Sequence, residues 1–387
     1  MSVISSIFRD LKCAIIDELK SLFSDSGALL LLVFATMIYT TIYSIAYGSE
    51  VVRDVPIAVV DNDNTAMSRE LIKGVEDGPD TRVAYETESL NRAKQLFYEG
   101  KIFGILHIPN NYERTLLAGE QANVSIMIDG THLMLYSHIM QQGVADILTT
   151  GAEVEVSRLL KDGTNAAMIP SLVEAISYNA NVLYNPNMGY GSFVMPSILI
   201  VIIQQTLIIG LALMAARRRE RGAIISTKPI ISVLSKILVY TMIYGINLTI
   251  ILGIIWLIFD FPNMGSTTNV VILLLIYMVS ATTLGIATSH LFTKRESPLM
   301  LLLWSSIPIL LIAGVSYPYE ALPEWLYTIG RILPSSSAVD AFIEINSMGA
   351  SLEDVSSEIT TLLALAAIYL TCAIIVESRL HKDKTTA

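Results

Sequence analysis

The sequence predicts an α-helical polytopic membrane protein with six transmembrane helices and a mixed α/β extracytoplasmic domain inserted between helices 1 and 2. Six apolar runs have about the 20 residues that cross a hydrocarbon core of about 30 Å. A mostly polar stretch of about 145 residues separates the first run from the other five. The mean hydropathy is +0.57 and charged residues make up 16% of the chain, against about 25% in globular domains. This layout excludes most soluble enzymes.

The six predicted spans contain no charged residue. The first, 27–47, begins too far from the initiating methionine for a usual signal peptide, so it is interpreted as a retained anchor. The other predicted spans are 193–216, 237–259, 269–290, 298–316 and 359–376.

The orientation follows from lysine and arginine in the short segments that flank the spans. The segment 260–268 has neither residue, and 317–358 has only Arg331. Because basic short loops stay in the cytoplasm, both termini are predicted to be cytoplasmic and the domain at 48–192 to be outside. The basic residues that carry this prediction are Arg9, Lys12, Lys20, Arg217, Arg218, Arg219, Arg221, Lys228, Lys236, Lys294, Arg295, Arg379, Lys382 and Lys384.

The amino-terminal segment has apolar residues at helical spacing between positions 2 and 23, and charged residues on the opposite side. This pattern is typical of a helix lying in the membrane interface. The alternative is a helix packed on another protein surface. The predicted domains are a cytoplasmic interfacial helix at 1–26, the first transmembrane helix at 27–47, the extracytoplasmic domain at 48–192, a five-helix transmembrane domain at 193–377 and a cytoplasmic tail at 378–387.

The domain at 48–192 alternates apolar β-type runs with amphipathic helical runs, which favours a small α/β domain. It contains 19 acidic and 10 basic residues. That acidity argues against nucleic acid as a partner, because phosphate binding needs a basic face. Strands are expected at 55–60, 81–86, 101–109, 123–129 and 172–178, and helices at 65–76, 89–99, 111–119 and 132–161.

Three aspartates of this domain, Asp61, Asp63 and Asp129, raise the question of a metal site. The run at 61–64 starts like a calcium loop but lacks the glycine and the distal glutamate of that loop. A turn and a helix cap explain it more simply, so no metal site is predicted.

Polar residues inside the spans are few and uncharged. They are candidates for a translocation path, since polar groups within a membrane often mark one, and equally for contacts that hold helices together. The candidates are Gln204, Gln205, Asn247, Ser280 and Thr283.

Several stretches in their order along the chain resemble the permease subunits of type-2 ABC exporters, in the branch with a large domain after the first span. They are VPIAVVDNDNTAMSREL (55–71), FGILHIPNNYERTLLAGEQANVSIMIDGT (103–131), YNPNMGYGSFVMP (184–196), RRRERGAIISTKP (217–229) and GVSYPYEALPEWLYTIGRILPSSSAVDAF (314–342).

The resemblance implies that the segment 217–236 is the element that couples the permease to its ATPase. Family members often carry an acidic residue and a proline soon after the basic run; this chain keeps Thr227 and Pro229 there but lacks the glutamate. The residues implied are Arg217, Arg218, Arg219, Glu220, Arg221, Gly222, Thr227, Lys228 and Pro229.

The resemblance also implies short external re-entrant helices at 317–335. Prolines interrupt helices and aromatic rings favour the membrane interface, which independently indicates short half-inserted helices. The alternative is an ordinary interfacial loop. The residues that mark this segment are Pro318, Pro323, Trp325 and Pro334.

The sequence has no G-x-x-x-x-G-K-[ST] phosphate loop, so no ATP site is recognisable in it. The resemblance implies that partner ABC ATPase subunits use ATP and Mg²⁺, and that this chain binds no cofactor itself. It further implies pairing with a second copy or a paralogous permease in the inner membrane, and leaves open a periplasmic adaptor and an outer-membrane channel. The alternatives are a membrane receptor or scaffold whose outer domain senses a ligand, and a membrane-embedded enzyme, for which no catalytic motif is found.

Overall fold

A computed structural model describes the protein over residues 2–48, 52–173, 182–186, 188–221, 228–315, 317 and 321–385. The chain divides into two compact units. One, the membrane unit, is formed by Met1–Glu50 together with Val182–Ala387; the other, the α/β unit, is Val51–Asn181.

The regular secondary structure of the membrane unit is helical in the part of the chain that the structure describes. Its core consists of side chains from several helices, and the largest fully buried ones include Trp256, Tyr240, Tyr277 and Phe342. The helices are α1 (Ser2–Phe23), α2 (Ser26–Tyr47), α8 (Tyr190–Glu220), α9 (Pro229–Ile258), α10 (Thr267–Ser289), α11 (Ser297–Ile312), α12 (Glu324–Gly330), α13 (Pro334–Phe342) and α14 (Ser356–Thr385).

Five helices within the described residues are long and apolar enough to cross a membrane: Ser26–Tyr47, Tyr190–Glu220, Pro229–Ile258, Thr267–Ser289 and Ser356–Arg379. They correspond to five of the six predicted spans. The remaining span, expected at 298–316, corresponds to α11, which has 16 residues and hence a length of about 24 Å. That length is below the bilayer core of about 30 Å, so the count of six stays a prediction.

The segment expected to link the second and third spans is helical at both of its ends. The helix α8 continues through the arginines at 217–219 and ends at Glu220, and α9 begins at Pro229. Proline suits the first turn of a helix because it has no backbone N–H, and the N–H groups of the first turn have no hydrogen-bond acceptor within the helix. The residues left between the two helices include 222–227, which lie outside the described part of the chain.

The α/β unit contains a four-stranded sheet in the order β2-β1-β3-β4. The strand β1 pairs in parallel with β2 and β3, and β3 pairs antiparallel with β4. The elements are β1 (Val55–Asp61), α3 (Ala66–Asp77), β2 (Thr81–Thr87), α4 (Leu90–Tyr98), β3 (Gly104–Ile108), α5 (Tyr112–Leu117), β4 (Ser125–Ile128), α6 (Leu133–Lys161) and α7 (Ile169–Val173).

The central strand β1 is buried on both faces, which explains its continuous apolar run. Ile57 and Val59 belong to a core with residues of α3 and α6, whereas Ala58 and Val60 belong to a core with residues of α4. The fold class of this unit therefore agrees with the alternation of strands and helices in the sequence.

The prediction of a strand at 172–178 is wrong for the two residues that the structure describes. Leu172 and Val173 end the short helix α7, whose second residue is Pro170. Proline is compatible with the first turn of a helix and cannot donate to a sheet. Residues 174–178 lie outside the described part of the chain.

Of the two aspartates at the end of β1, Asp61 stabilises a turn and Asp63 caps a helix. Asp61 accepts hydrogen bonds from the amides of Asp63 (2.9 Å) and Asn64 (3.1 Å). Asp63 accepts from the amides of Tyr112 (3.0 Å) and Glu113 (2.9 Å), which begin α5. Within the described residues no three histidine, cysteine or acidic side chains gather in a metal-binding arrangement.

Candidate coupling site

A cluster of charged and polar side chains lies at one end of the membrane unit, where α8 ends. We call it the charged cluster. It joins the turn between α1 and α2, the last turn of α8, the start of α9, the link between α10 and α11, and the end of α14. Its members are Glu18, Asp25, Arg217, Arg218, Arg219, Lys236, Tyr240, His290, Arg295 and Glu377.

The three consecutive arginines of α8 contact different neighbours, because successive residues of a helix point about 100° apart. Arg217 donates to the carbonyl oxygens of Ser21 (3.1 Å) and Ser24 (3.0 Å). It also forms an ion pair with the carboxylate of Asp25 at 3.0 Å. The side chain of Arg217 is buried. Its charge is compensated by groups of the turn between α1 and α2.

Arg218 forms an ion pair with Glu18 of α1. The hydroxyl of Tyr240 on α9 donates to the other oxygen of the same carboxylate at 2.7 Å. Glu18 is only 4% exposed. Burial by itself would raise the pKa of Glu18, but Arg218, Lys236 and the two hydrogen bonds outweigh it and hold this pKa below its usual range.

Asp25 connects three elements through one carboxylate. It accepts hydrogen bonds from the amides of Gly27 (3.0 Å) and Ala28 (3.1 Å), which caps the start of α2. It pairs with Arg217 and, at 2.6 Å, with Arg295 before α11. Burial opposes ionisation, yet these amides and guanidinium groups leave the pKa of Asp25 below its ordinary value.

Arg219 binds the link between α10 and α11. Its guanidinium donates to the carbonyl oxygen of His290 at 3.1 Å, to Nδ1 of the His290 ring at 2.6 Å, and to the carbonyl oxygen of Phe292. The last carbonyls of a helix have no partner within it. Arg219 therefore satisfies acceptors at the end of α10.

Glu377 of α14 brings the carboxyl-terminal helix into the charged cluster. It accepts hydrogen bonds from Nζ of Lys236 (2.5 Å) and the hydroxyl of Ser232 (2.6 Å) on α9. Nε2 of His290 lies 3.4 Å from its second oxygen. Glu377 is 1% exposed, so its charge is compensated by these neighbours.

The predicted coupling residues divide into two groups. Arg217, Arg218 and Arg219 bind groups of the same chain, so their guanidinium groups are not presented outward. Glu220, Arg221 and Lys228 are exposed, and Glu220 accepts a hydrogen bond from the amide of Arg295 at 3.1 Å. Pro229 starts α9, while Gly222 and Thr227 lie outside the described residues.

The residues expected along a translocation path are buried inside the membrane unit. Gln204 accepts a hydrogen bond from the amide of Ser335 at 2.8 Å, and Asn247 donates to the carbonyl of Val33 at 3.0 Å. Thr283 donates to the carbonyl of Ser280 in its own helix at 2.9 Å. These contacts favour the helix-packing interpretation. Gln205 is also buried and has no side-chain hydrogen bond within the described part of the chain.

The predicted re-entrant segment contains two short helices. Pro323 immediately precedes α12, and Pro334 is the first residue of α13. Trp325 is 65% exposed, whereas Ser335 and Ala338 of α13 are fully buried. Pro318 lies outside the described residues. Helices that start at proline, one of them buried in the bundle, agree with the interruption expected from the sequence.

Sequence reasoning missed the carboxylates that pair with the arginines. Glu18 was placed on the polar side of α1, yet it lies between Ala14 and Leu22 in the buried stripe at four-residue spacing. Glu377 lies one residue beyond the predicted sixth span, which ends at residue 376, and it was not among the predicted site residues. A carboxylate directly after an apolar run is a signal that could have identified it.

Comparison with known proteins identifies the family. The sequence model of the ABC-2 family transporter proteins matches residues 27–375. The chain belongs to the ABC-2 transporter family. It is thus a multi-pass membrane protein and a permease subunit of an ABC transporter, and its family implies partnership with ABC ATPase subunits.

Two relatives from Escherichia coli strain K12 are similar over nearly their whole length. "Probable multidrug ABC transporter permease YbhR" is 24% identical over 367 residues, which covers 93% of this chain and 96% of the relative. "Inner membrane transport permease YhhJ" is 24% identical over 380 residues, covering 93% and 94%.

Proposed function

We propose that the chain is the transmembrane permease subunit of an ATP-driven ABC exporter in the inner membrane. It moves its substrate out of the cytoplasm or the inner membrane with energy from separate ATPase subunits, which bind ATP and Mg²⁺. The chain itself hydrolyses no ATP and pairs with a second copy or a paralogous permease. The proposal leaves open whether a periplasmic adaptor and an outer-membrane channel take part.

The observation that carries the proposal is the charged cluster. Basic residues that are far apart in sequence, Arg217, Lys236 and Arg295, come together at one end of the membrane unit. Basic residues at one end support the orientation in which this end is cytoplasmic and the α/β unit is outside. The ATPase partner binds on that side in this proposal.

The charged cluster also supplies a physical route for coupling. Ion pairs and hydrogen bonds from α8 reach α1 through Glu18, α2 through Asp25 and the α10–α11 link through His290. Buried charged groups are costly to separate, since each would be left uncompensated. A displacement applied near the end of α8 is therefore transmitted to these elements together.

The docking surface in this proposal consists of the exposed residues beside the charged cluster, Glu220, Arg221 and Lys228. Arg217, Arg218 and Arg219 then hold the helices together through their intramolecular contacts, and the exposed residues contact the ATPase. This refines the prediction from the sequence, which assigned docking to the whole segment 217–229.

The test replaces Glu220 and Arg221 by alanine and leaves Arg217–Arg219 in place. The variant should insert normally, with ATPase co-purification reduced about tenfold or more and stimulation of ATP hydrolysis in proteoliposomes lost. The matched control is Glu324→Ala, an exposed carboxylate on α12, which should retain both. Full association and stimulation in the double variant would contradict the docking surface.

The family match favours the permease over the receptor or scaffold considered from the sequence. The name of the YbhR relative makes drugs a reasonable first substrate class for transport assays. Resistance of cells that express the chain with its ATPase, lost in the double variant, would support the exporter.

A further inference from the structure

Three buried polar atoms on three different helices have no hydrogen-bond partner among the described residues. They are Nε2 of Gln204 on α8, Oγ of Ser280 on α10 and Oγ of Ser335 on α13. All three residues are fully buried. A buried polar group without a partner costs about 1–3 kcal/mol, so three such atoms together require an explanation.

The register of the helices brings the three atoms to one level of the membrane unit. Gln204 and Ser335 are adjacent, since Oε1 of Gln204 accepts from the amide of Ser335 at 2.8 Å. Ile208, Leu284 and Leu333 pack together in one apolar cluster. Gln204 is one turn before Ile208, just as Ser280 is one turn before Leu284.

Two further contacts show that α8 and α10 run side by side in the same direction. The hydroxyl of Tyr277 donates to the carbonyl of Ile200 at 2.6 Å. Two turns later, Gly285 lies against Leu211 and the backbone of Ile208. Ser280 therefore stays level with Gln204 along both helices, and Leu284 directs this side of α10 toward the start of α13.

A neighbouring network shows how polar groups are paired when the protein supplies the partners itself. The hydroxyl of Tyr244 donates to Thr206 at 2.8 Å, and Thr206 lies 3.2 Å from the hydroxyl of Thr36. Ser289 on α10 bonds to the carbonyl of Ile286 in its own helix at 2.7 Å. Ser280 makes no such bond from its side chain, so its hydroxyl is available to another partner.

We propose that Gln204, Ser280 and Ser335 hold an ordered water molecule between α8, α10 and α13. Buried waters typically make about three hydrogen bonds to otherwise unsatisfied groups, and three groups are present. The water accepts from the amide nitrogen of Gln204 and donates to the two serine oxygens. Together with the Gln204–Ser335 bond, it ties the start of α13 to two membrane-spanning helices.

The inference gives Gln204 and Ser280 a role in positioning α13 instead of contacting substrate. It stands independently of the exporter proposal, because it concerns contacts inside one chain.

The first test measures thermal unfolding of the purified full chain in lipid nanodiscs. Ser280→Ala should lower Tm by roughly 2 °C or more, because the water loses one partner. Ser280→Ala and Ser335→Ala should be non-additive in combination, since either change weakens the same water site. The control Ser289→Ala removes a serine bonded within α10, and its combination with Ser335→Ala should be additive.

A rise in Tm for Ser280→Ala would overturn the proposal. It would mean that the hydroxyl of Ser280 has no water partner, because removing a buried hydroxyl without a hydrogen bond stabilises the protein. Additive effects of Ser280→Ala and Ser335→Ala would overturn it as well. The second test is an experimental density map that resolves waters. A peak about 2.6–3.2 Å from all three atoms is expected; direct contact of the serine oxygens with each other, without such a peak, would contradict the proposal.

Discussion

Glu18 and Asp25 are two carboxylates within the predicted cytoplasmic interfacial helix at 1–26, yet both are buried. Each is compensated by two or more donors: Glu18 by Arg218 and Tyr240, Asp25 by Arg217, Arg295 and the first amides of α2. The net contribution of a buried ion pair to stability is small, but removing one partner leaves a charge without compensation. Single substitutions here are therefore informative.

Glu18→Gln should destabilise the membrane unit by about 3 kcal/mol, because Arg218, which is largely withdrawn from solvent, would remain without its carboxylate. Denaturant unfolding of the purified chain measures the loss. The adjacent Asp17 is exposed, so Asp17→Asn is the matched control and should change stability by less than about 0.5 kcal/mol. Equal effects of the two variants would show that the ion pair contributes nothing specific.

The stability of this region should depend on pH in a defined direction. The pKa values of Glu18 and Asp25 are lowered in the folded protein. Their contribution is therefore complete above the ordinary carboxyl pKa of about 4 and is lost as the pH falls from there through the lower folded pKa.

Comparing Tm of the native chain with that of Asp25→Asn tests this dependence. The difference between them should be constant from about pH 5 to pH 8 and should narrow below about pH 4. The exposed substitution Asp17→Asn should follow the native chain at every pH. A difference that widens on acidification would contradict the assigned sign.

At the scale of elements, a close approach between two backbone segments occurs at Gly265, just before α10. A Cβ atom at this position would lie 2.2 Å from the carbonyl oxygen of Ile345, in the π-helical turn Ile343–Ser347 that follows α13. The neighbouring amides of Met264 and Gly265 donate to the carbonyl of Asn346. Backbone atoms on both sides leave little room to relax.

Gly265→Ala should therefore destabilise the protein by about 1–3 kcal/mol, the range for overpacking. Gly253, inside α9, is the matched control, since a Cβ there meets nothing within 4 Å. Gly253→Ala should be neutral or slightly stabilising, because alanine is the better helix former. Comparable Tm losses in both variants would contradict the close approach of α10 to the turn after α13.

At the scale of the whole molecule, the testable quantity is orientation. The two free cysteines within the described residues are exposed, so Cys13→Ser and Cys372→Ser give the starting background. A cysteine at Asn110, in the α/β unit, should react with an impermeant maleimide in intact cells. A cysteine at Lys384 should react only after permeabilisation, because both termini are proposed to be cytoplasmic. Labelling at Lys384 in intact cells would contradict the proposed cytoplasmic location of the carboxyl terminus.

The sequence by itself determined most of the segments that are apolar enough to span a membrane, and the stretch in which strands and helices alternate. These features depend on local composition and periodicity, and α8, α10 and β1 were predicted within a few residues for that reason. The turn formed by Asp61 was likewise predicted, because turn chemistry is local. The helix that Asp63 caps, α5, begins 49 residues later in the sequence, and that contact was not predicted. The choice between helix and strand at residues 172–173 was wrong, since short apolar runs fit either.

Only the tertiary structure decided what the arginines at 217–219 do. A run of three basic residues has the same composition whether it faces a partner or its own chain. The deciding groups, Glu18, Asp25 and His290, lie about 70 to 200 residues away in sequence, and no local pattern encodes such a pairing. The pairing depends on the direction of each side chain on its helix and on how helices distant in sequence pack together. The positions of the charges could therefore be predicted from the sequence, whereas their partners are known only from the tertiary structure.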